Sequence, residues 1–412
     1  MTRRSRPWGY SKENSQKSTA EWQLHPDTLS VRAGLSRSGF GETGEALYLS
    51  SGFTYDSAED AMASFAEEQE HYLYSRFHNP TVAMFEERLA TLEGAELCVA
   101  TGSGMSAMFA SVACMVATGD HIVASASMFS SCYVVLAEIL PKWGVTVEFV
   151  KGNERSDWER ALSNNKTKVV FIETPSNPML EIVDIEMVST LAHQVGAIVV
   201  IDNVMASPIL QKPLQHGADV IMYSTTKHID GQGRVLGGAI LGSEDYIKNH
   251  LQPFVRHTGP NLSAFNAWIL LKSLETLHMR VSKMNENATA VAEFLSAHPK
   301  VETVNYPGLA SHPLAAIVAK QMTGGGTTLS FTVKGGESAL FKVMNGLQVI
   351  DISNNLGDSK SLITHPASTT HRRLGPEIQA EMGILPSLAR LSLGLEHSTD
   401  LIRDLDNALA TL

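Results

Sequence analysis

Cysteine and positive charge are both scarce in this 412-residue chain. The three cysteines, Cys98, Cys114 and Cys132, have no CxxC or metal-ligand spacing, so we expect no structural disulfide and no metal site. The chain has 32 Lys and Arg residues against 43 Asp and Glu residues, a formal net charge of −11. Because phosphate backbones are bound by clustered cations, this balance argues against nucleic acid as a partner. An anionic ligand must therefore be held by a few local donors.

Long runs of large apolar side chains are lacking as well. Residues 97–119 carry no charge over a length that approaches the roughly 20 apolar residues of a membrane span. Since this stretch consists mostly of Gly, Ala, Ser and Thr, we expect a buried helix and no contact with a membrane. Residues 1–21 are polar and have no apolar core of a secretory signal. We therefore expect a loose tail at residues 1–23 and a cytoplasmic protein.

What the chain does contain is a regular alternation of short apolar runs and helix-length segments. Helical spacing of apolar residues is found, for example, at residues 80–92, 131–140 and 184–195. The runs that predict buried strands are residues 97–100, 121–124, 145–150, 169–173, 198–202 and 220–224. This alternation is typical of a doubly wound, mostly parallel sheet, which binds ligands at the carboxyl ends of its strands.

A lysine-bearing motif, Ser224-Thr225-Thr226-Lys227-His228, lies at the carboxyl end of one of these predicted strands. A lysine placed there can form a Schiff base with a carbonyl cofactor, and the neighbouring hydroxyl groups of Ser224 and Thr226 can share a phosphate site. Taken alone, the motif is more typical of a solvated loop lysine.

Asp202 strengthens the cofactor interpretation because it ends another predicted strand, upstream of Lys227. A carboxylate there can pair with a pyridinium nitrogen and keep it protonated, which makes the ring an electron sink. A structural acid that caps a helix is the alternative for Asp202 alone. Together, the two residues favour pyridoxal 5'-phosphate (PLP) as the cofactor.

A glycine-bearing turn, Thr101-Gly102-Ser103-Gly104-Met105, joins a predicted strand to a helix and can bind an anion through backbone N–H groups. Its glycines also match a dinucleotide fingerprint, which requires an acid about 20 residues further on, at the end of the next strand. That strand ends in Ser125-Ala126-Ser127, so the sequence excludes NAD and leaves the phosphate of PLP.

From about residue 24 to its end, the chain resembles the Cys/Met-metabolism PLP enzymes, which include cystathionine synthases and lyases, methionine γ-lyase and the homoserine-ester sulfhydrylases. The resemblance rests on several motifs found in the same order, among them residues 74–81, 173–178, 224–227 and 390–396. It implies a type I aminotransferase-like α/β fold. It also implies that cofactor is bound by Tyr74, Arg76, Ser103, Gly104, Met105, Phe129, Asn177, Asp202, Ser224, Thr226 and Lys227. Arg390, assisted by Asn355, is expected to bind the substrate α-carboxylate.

Phe129 is a departure from most of the family, whose members have a tyrosine stacked on the pyridine ring at this position. Phenylalanine can still stack but has no hydroxyl group to act as acid or base. We expect Lys227, Asp202 and Phe129 to be the catalytic set. In having phenylalanine at this position, the chain resembles the sulfhydrylases that use O-succinylhomoserine and sulfide. Cystathionine γ-synthase, O-acetylhomoserine sulfhydrylase, methionine γ-lyase and a non-catalytic PLP-fold binding protein remain alternatives.

The length and the changing pattern predict several parts in the chain. After the tail we expect an N-terminal arm at residues 24–78, a PLP-binding domain at residues 79–270 and a smaller α+β domain at residues 271–412. In the family, the tyrosine and arginine that match Tyr74 and Arg76 of the arm reach the PLP phosphate of a neighbouring subunit. The resemblance thus implies a homotetramer of two active-site-sharing dimers.

Overall fold

A computed structural model describes residues 24–412, so the predicted tail lies outside the described residues. The arm is less extended than expected, because it contains the helices Pro26–Arg32 and Ala58–Phe65. Buried Arg88 fixes the arm to the body: its Nη2 is 2.5 Å from Glu45 Oε1, and its Nε donates to the carbonyl oxygen of Ala33 at 2.8 Å. A buried ion pair with further hydrogen bonds on the guanidinium makes this attachment specific.

A seven-stranded sheet forms the centre of the described chain, in the order β1-β7-β6-β5-β4-β2-β3. Its strands are β1 Leu97–Thr101, β2 His121–Ser125, β3 Thr146–Val150, β4 Thr167–Glu173, β5 Ile198–Asp202, β6 Val220–Tyr223 and β7 Gly238–Gly242. Neighbouring strands pair in parallel from β3 to β6, whereas β7 pairs antiparallel with both β6 and β1. The mostly parallel sheet is thus confirmed, with β7 as a strand that the apolar pattern did not predict.

Helices cover both faces of this sheet, and apolar residues from helix and strand meet in shared clusters. The helices between residues 79 and 275 are Pro80–Glu93, Gly104–Ala113, Ser130–Val134, Arg155–Leu162, Ile185–Gln194, Ser207–Leu210, Gln252–Thr258 and Ala264–Leu274. The predicted helix at residues 131–140 changes form along its length, because α-helix Ser130–Val134 continues as π-helical Val135–Ile139.

A second sheet of five strands follows, in the order β10-β11-β12-β9-β8. Its strands are β8 Val301–Asn305, β9 Thr328–Val333, β10 Asp351–Ile352, β11 Leu362–Thr364 and β12 Leu388–Ser392. The accompanying helices are Leu277–Ala297, Ala315–Gln321, Gly336–Gly346, Gly375–Glu381 and Ser398–Leu409. All pairs except β10 with β11 are antiparallel, as is typical of an α+β unit. The boundary at residue 270 stays a prediction.

The uncharged stretch at residues 97–119 forms strand β1 and helix Gly104–Ala113. Ala107, Met108 and Val112 on this helix are fully buried within the protein. Among the described residues, no helix combines the length and apolar character needed to cross a membrane.

Candidate active site

The glycine-bearing turn and the lysine motif lie against each other at the carboxyl ends of β1 and β6. A Cβ atom on Gly104 would stand 2.4 Å from Cβ of Ser224, so only glycine allows this close approach. Ser103 caps the helix Gly104–Ala113, with its Oγ accepting the N–H of Ser106 at 3.1 Å. The N–H groups of Gly104 and Met105 have no partner within the helix and can bind an anion beside Ser224.

Lys227 follows β6 in a turn that is anchored to Gly237, the residue before β7. Its N–H donates to the carbonyl oxygen of Ser224 at 3.2 Å, and the Thr226 hydroxyl accepts the N–H of Gly237 at 3.1 Å. Burial lowers the pKa of Lys227, the charge of Arg390 lowers it further, and Asp202 opposes both. A depressed pKa increases the fraction of neutral amine, the form that attacks a carbonyl carbon.

Asp202 and Glu173 end adjacent parallel strands and lie side by side in the register of β5 and β4. Burial raises the pKa of Asp202 to about 7, opposed by the hydrogen bond from the Val204 N–H and by Lys227. Burial and the neighbouring Asp202 also raise the pKa of Glu173 well above its ordinary value. An acid so placed is stabilised as an anion when a cation enters the site.

Glu173 is the functional residue to which the sequence interpretation gave no role. Its Oε2 accepts the N–H of Phe129 at 2.6 Å, and its Oε1 accepts the N–H of Asn177 at 2.7 Å. One carboxyl group thus positions the backbone of two predicted cofactor residues. Its place at the end of a buried strand next to the Asp202 strand was a signal that could have revealed it.

Arg390 projects from β12 of the second sheet and is almost completely buried. Its Nη1 donates to Asn177 Oδ1 at 3.1 Å, and its Nη2 donates to the carbonyl oxygens of Asn354 and Asn355, both at 2.9 Å. Burial lowers its pKa to about 10, so it remains a cation at neutral pH. Its buried Nε has no hydrogen-bond partner in the described part of the chain, which leaves a donor for a ligand carboxylate.

Phe129 precedes the helix Ser130–Val134 and contacts His371 edge-on, with ring centroids 6.4 Å apart and an interplanar angle of 87°. Burial and the charge of Arg390 lower the pKa of His371 to about 4, so this ring is neutral. His371 was not predicted, because it lies far from Phe129 along the chain. The contact orients the Phe129 ring within the site.

Comparison with known proteins supports the same assignment. A model of the Cys/Met metabolism PLP-dependent enzyme family matches residues 27–410. The chain belongs to this family. The resemblance in the sequence is therefore confirmed, and the protein is a PLP-dependent enzyme.

Two sulfhydrylases of the family are similar to this chain over most of its length. An O-succinylhomoserine sulfhydrylase of Mycobacterium tuberculosis is 55% identical over 93% of this chain and 95% of its own length. One of Pseudomonas aeruginosa is 45% identical over 94% of this chain and 95% of its own length. Among solved structures, an O-acetylhomoserine (thiol)-lyase of Campylobacter jejuni is 31% identical, with a TM-score of 0.89 over 94% of this chain and all of that chain. That structure contains N'-pyridoxyl-lysine-5'-monophosphate.

The residues present fit the PLP of the family. Gly104 forms a cradle that a Cβ would fill, and the helix N-terminus there supplies donors suited to a phosphate. Lys227 supplies an amine of lowered pKa, and Asp202 supplies a buried carboxyl group for a ring nitrogen. Asp202 would pair with the protonated ring nitrogen of bound PLP, and the glycine-bearing turn would bind its phosphate.

Tyr74 and Arg76 are not brought to this cluster by their own chain. The Arg76 guanidinium lies over the Phe77 ring at 4.6 Å, and it donates to the carbonyl oxygen of Arg256. Tyr74 is 43% exposed. Their assignment to a neighbour's phosphate site stays a prediction.

Neither Cys132 nor the potential metal ligands of the described residues form a further reactive site. Cys132 is 2% exposed, and burial raises its pKa well above the ordinary value, so it packs in the core and is not a nucleophile. Within residues 24–412, no group of three or more His, Cys, Asp or Glu residues could hold a metal ion.

Proposed function

We propose that this enzyme catalyses a PLP-dependent γ-replacement, in which sulfide displaces the acyl group of O-succinylhomoserine. The Cγ–O bond breaks and a Cγ–S bond forms, giving homocysteine and succinate. The observation that carries the proposal is the convergence of Lys227, Asp202 and Arg390, whose charges act on one another at one end of the large sheet. The two sulfhydrylase relatives support the choice of substrates within the family.

Arg390 binds and orients the amino-acid substrate in this proposal. Asn177 and the carbonyl oxygens of residues 354 and 355 hold its guanidinium in place, and its Nε remains to donate to the α-carboxylate. A planar guanidinium matches a carboxylate better than an ammonium group does. Asn355 contributes through its carbonyl oxygen, by holding Arg390.

Lys227 is the base that acts on Cα once the substrate is bound. Its lowered pKa increases the fraction of neutral Nζ, which can accept the Cα proton and return a proton later in the reaction. PLP supplies an electron sink for the electrons left on Cα and then on Cβ. Asp202 holds the proton of the ring nitrogen and thereby maintains that sink.

Phe129 favours an easily expelled leaving group. Its ring can cover the cofactor, but it has no hydroxyl group to protonate what departs. Succinate leaves as a stable carboxylate and needs little protonation, whereas the thiolate expelled from methionine needs more. This difference supports γ-replacement on an ester over lyase activity on methionine.

A shared active site completes the proposal. Tyr74 is exposed on the arm, and the Arg76 guanidinium donates to the carbonyl oxygen of Arg256. Because both residues lie outside the site of their own chain, they support a two-fold dimer whose arms complete each other's sites, paired into a tetramer. Three unpaired cysteines support a cytoplasmic location.

The decisive experiment offers the enzyme O-succinylhomoserine or O-acetylhomoserine, with sulfide and cysteine at equal concentration, and separates the products by mass. We expect homocysteine and succinate to predominate. Mostly cystathionine would assign cysteine as the nucleophile, and faster use of the acetyl ester would change the acyl donor. Rapid release of methanethiol from methionine would contradict the substrate class.

A further inference from the structure

A cavity of about 390 Å³ lies directly beside the proposed active site. Met105 of the glycine-bearing turn contributes to its wall, and so do Ser130 and Ser131, which follow Phe129. The facing wall comes from Thr369, Thr370 and Arg373, in the segment that connects β11 to the helix Gly375–Glu381. The cavity therefore adjoins two parts of the site, the glycine-bearing turn and the segment that begins at Phe129.

Hydrogen bonds tie the two walls of this cavity together near the ring. The Ser130 hydroxyl donates to the carbonyl oxygen of Thr370 at 2.5 Å. Thr370 Oγ1 is 2.9 Å from Nδ1 of His371, the residue that contacts Phe129 edge-on. These contacts fix the position of the segment that carries Arg373 relative to Phe129.

The lining of the cavity combines apolar side chains with one positive charge. Apolar side chains of Val134, Val135 and Ile139 line one side, and Arg373 is the single cation in the wall. Its Nη2 is 3.0 Å from Glu138 Oε2, and the two side chains are 71% and 51% exposed. An ion pair this exposed is weak, so a ligand carboxylate can compete with Glu138 for the guanidinium.

We propose that this cavity binds the succinyl arm of O-succinylhomoserine, and that Arg373 binds its terminal carboxylate. The inference rests on the proposed function and names the residue that selects the acyl group. Beyond its ester carbonyl, the succinyl group consists of two methylene groups and a carboxylate. These match the apolar side of the cavity and its cation. An acetyl group has neither feature. The volume lies in the range of small-ligand sites, roughly 300–1,000 Å³.

The test compares kcat/KM for O-succinylhomoserine with kcat/KM for O-acetylhomoserine in Arg373→Gln, with sulfide as the nucleophile. We expect the succinyl-to-acetyl ratio to fall by about fivefold, the effect of losing one ion pair of about 1 kcal/mol at a largely exposed side chain. Arg373→Lys retains the charge but not the fork, so its ratio should be intermediate. Because the acetyl ester is measured on the same protein, a general loss of folding cancels from the ratio.

Arg372→Gln is the matched control, since this neighbouring arginine is exposed and does not line the cavity. It should leave the ratio at the wild-type value. Glu138→Gln should leave the ratio unchanged or raise it, because Glu138 competes for Arg373. A ratio unchanged in Arg373→Gln, or lowered equally by Glu138→Gln, would overturn the inference.

Calorimetric titration separates this inference from the proposed function. The two esters are titrated into Lys227→Ala protein with and without Arg373→Gln, so that no turnover is needed. We expect the preference for the succinyl ester to fall by about fivefold with Arg373→Gln. Loss of that preference in an enzyme that turns over neither ester would support the subsite while refuting the sulfhydrylase proposal. An identical preference in both proteins would refute the subsite.

Discussion

Replacing Asp202 with asparagine should stabilise the cofactor-free protein at neutral pH while weakening its hold on PLP. Asp202 is buried beside Glu173, and burial raises its pKa from 3.8 to about 7. Asparagine keeps an oxygen that can accept the Val204 N–H, which Asp202 Oδ1 accepts at 3.0 Å. The substitution therefore removes an ionisable buried group and preserves its local hydrogen bond.

The size of the effect depends on pH in a definite direction. Below pH 3.8 the carboxyl group is protonated in both the folded and the unfolded protein, and it does not affect their balance. Between pH 3.8 and about 7 the unfolded chain releases this proton first, so the free energy of unfolding falls as pH rises. The resulting destabilisation is about 2 kcal/mol at pH 5 and about 4 kcal/mol at pH 8, at 1.36 kcal/mol per pKa unit.

Urea unfolding of wild-type and Asp202→Asn apoprotein at pH 5 and pH 8 measures this difference. We expect the advantage of the variant to increase by about 3 kcal/mol between the two pH values. Asp245→Asn, at an exposed position, is the control and should follow the wild type at both. An Asp202→Asn apoprotein that is less stable at pH 8, or an advantage independent of pH, would refute the reasoning.

Three further predictions concern the proposed site. Lys227→Ala should lose the visible absorbance of lysine-bound PLP, and wild-type protein that takes up no PLP would contradict the assignment of this lysine. Arg390→Lys should lower kcat/KM by about tenfold, because the one charge-assisted hydrogen bond from Nε, worth roughly 1.5 kcal/mol, is lost, while exposed Arg403→Lys should not. Inactive Lys227→Ala and Arg76→Ala protomers should recover activity when mixed, and verified hybrids without activity would argue against a shared site.

The parallel part of the large sheet could be predicted because its strands are buried on both faces. Such strands appear as continuous apolar runs, and the prediction of β5 agrees with the structure from Ile198 to Asp202. Strand β7 escaped prediction because Gly238–Gly242 begins and ends with glycine, which is uncommon inside strands. The helices of the arm escaped because they are short and belong to a segment rich in turn residues.

Residues of the site that follow strands could be predicted, because a doubly wound sheet brings the ends of its parallel strands to one edge. Asp202, Lys227 and the turn at Gly104 meet there for that reason. The contacts made by Arg390 and His371 could not be derived from the large sheet, since these residues come from β12 and from a loop of the second sheet region. Their approach depends on how two separately formed sheets pack, and no local pattern encodes it.

The arrangement of charge explains why Arg390 is left for the substrate although a buried acid is close by. Both oxygens of Glu173 already accept backbone N–H groups, one from Phe129 and one from Asn177. Among residues 24–412, no carboxylate forms an ion pair with Arg390, which is held only by neutral oxygens. A buried cation surrounded by neutral acceptors keeps its full attraction for an incoming anion, since no internal partner must first be displaced. Glu173 thus leaves the guanidinium available to the substrate, because its two oxygens accept backbone N–H groups and make no hydrogen bond to Arg390.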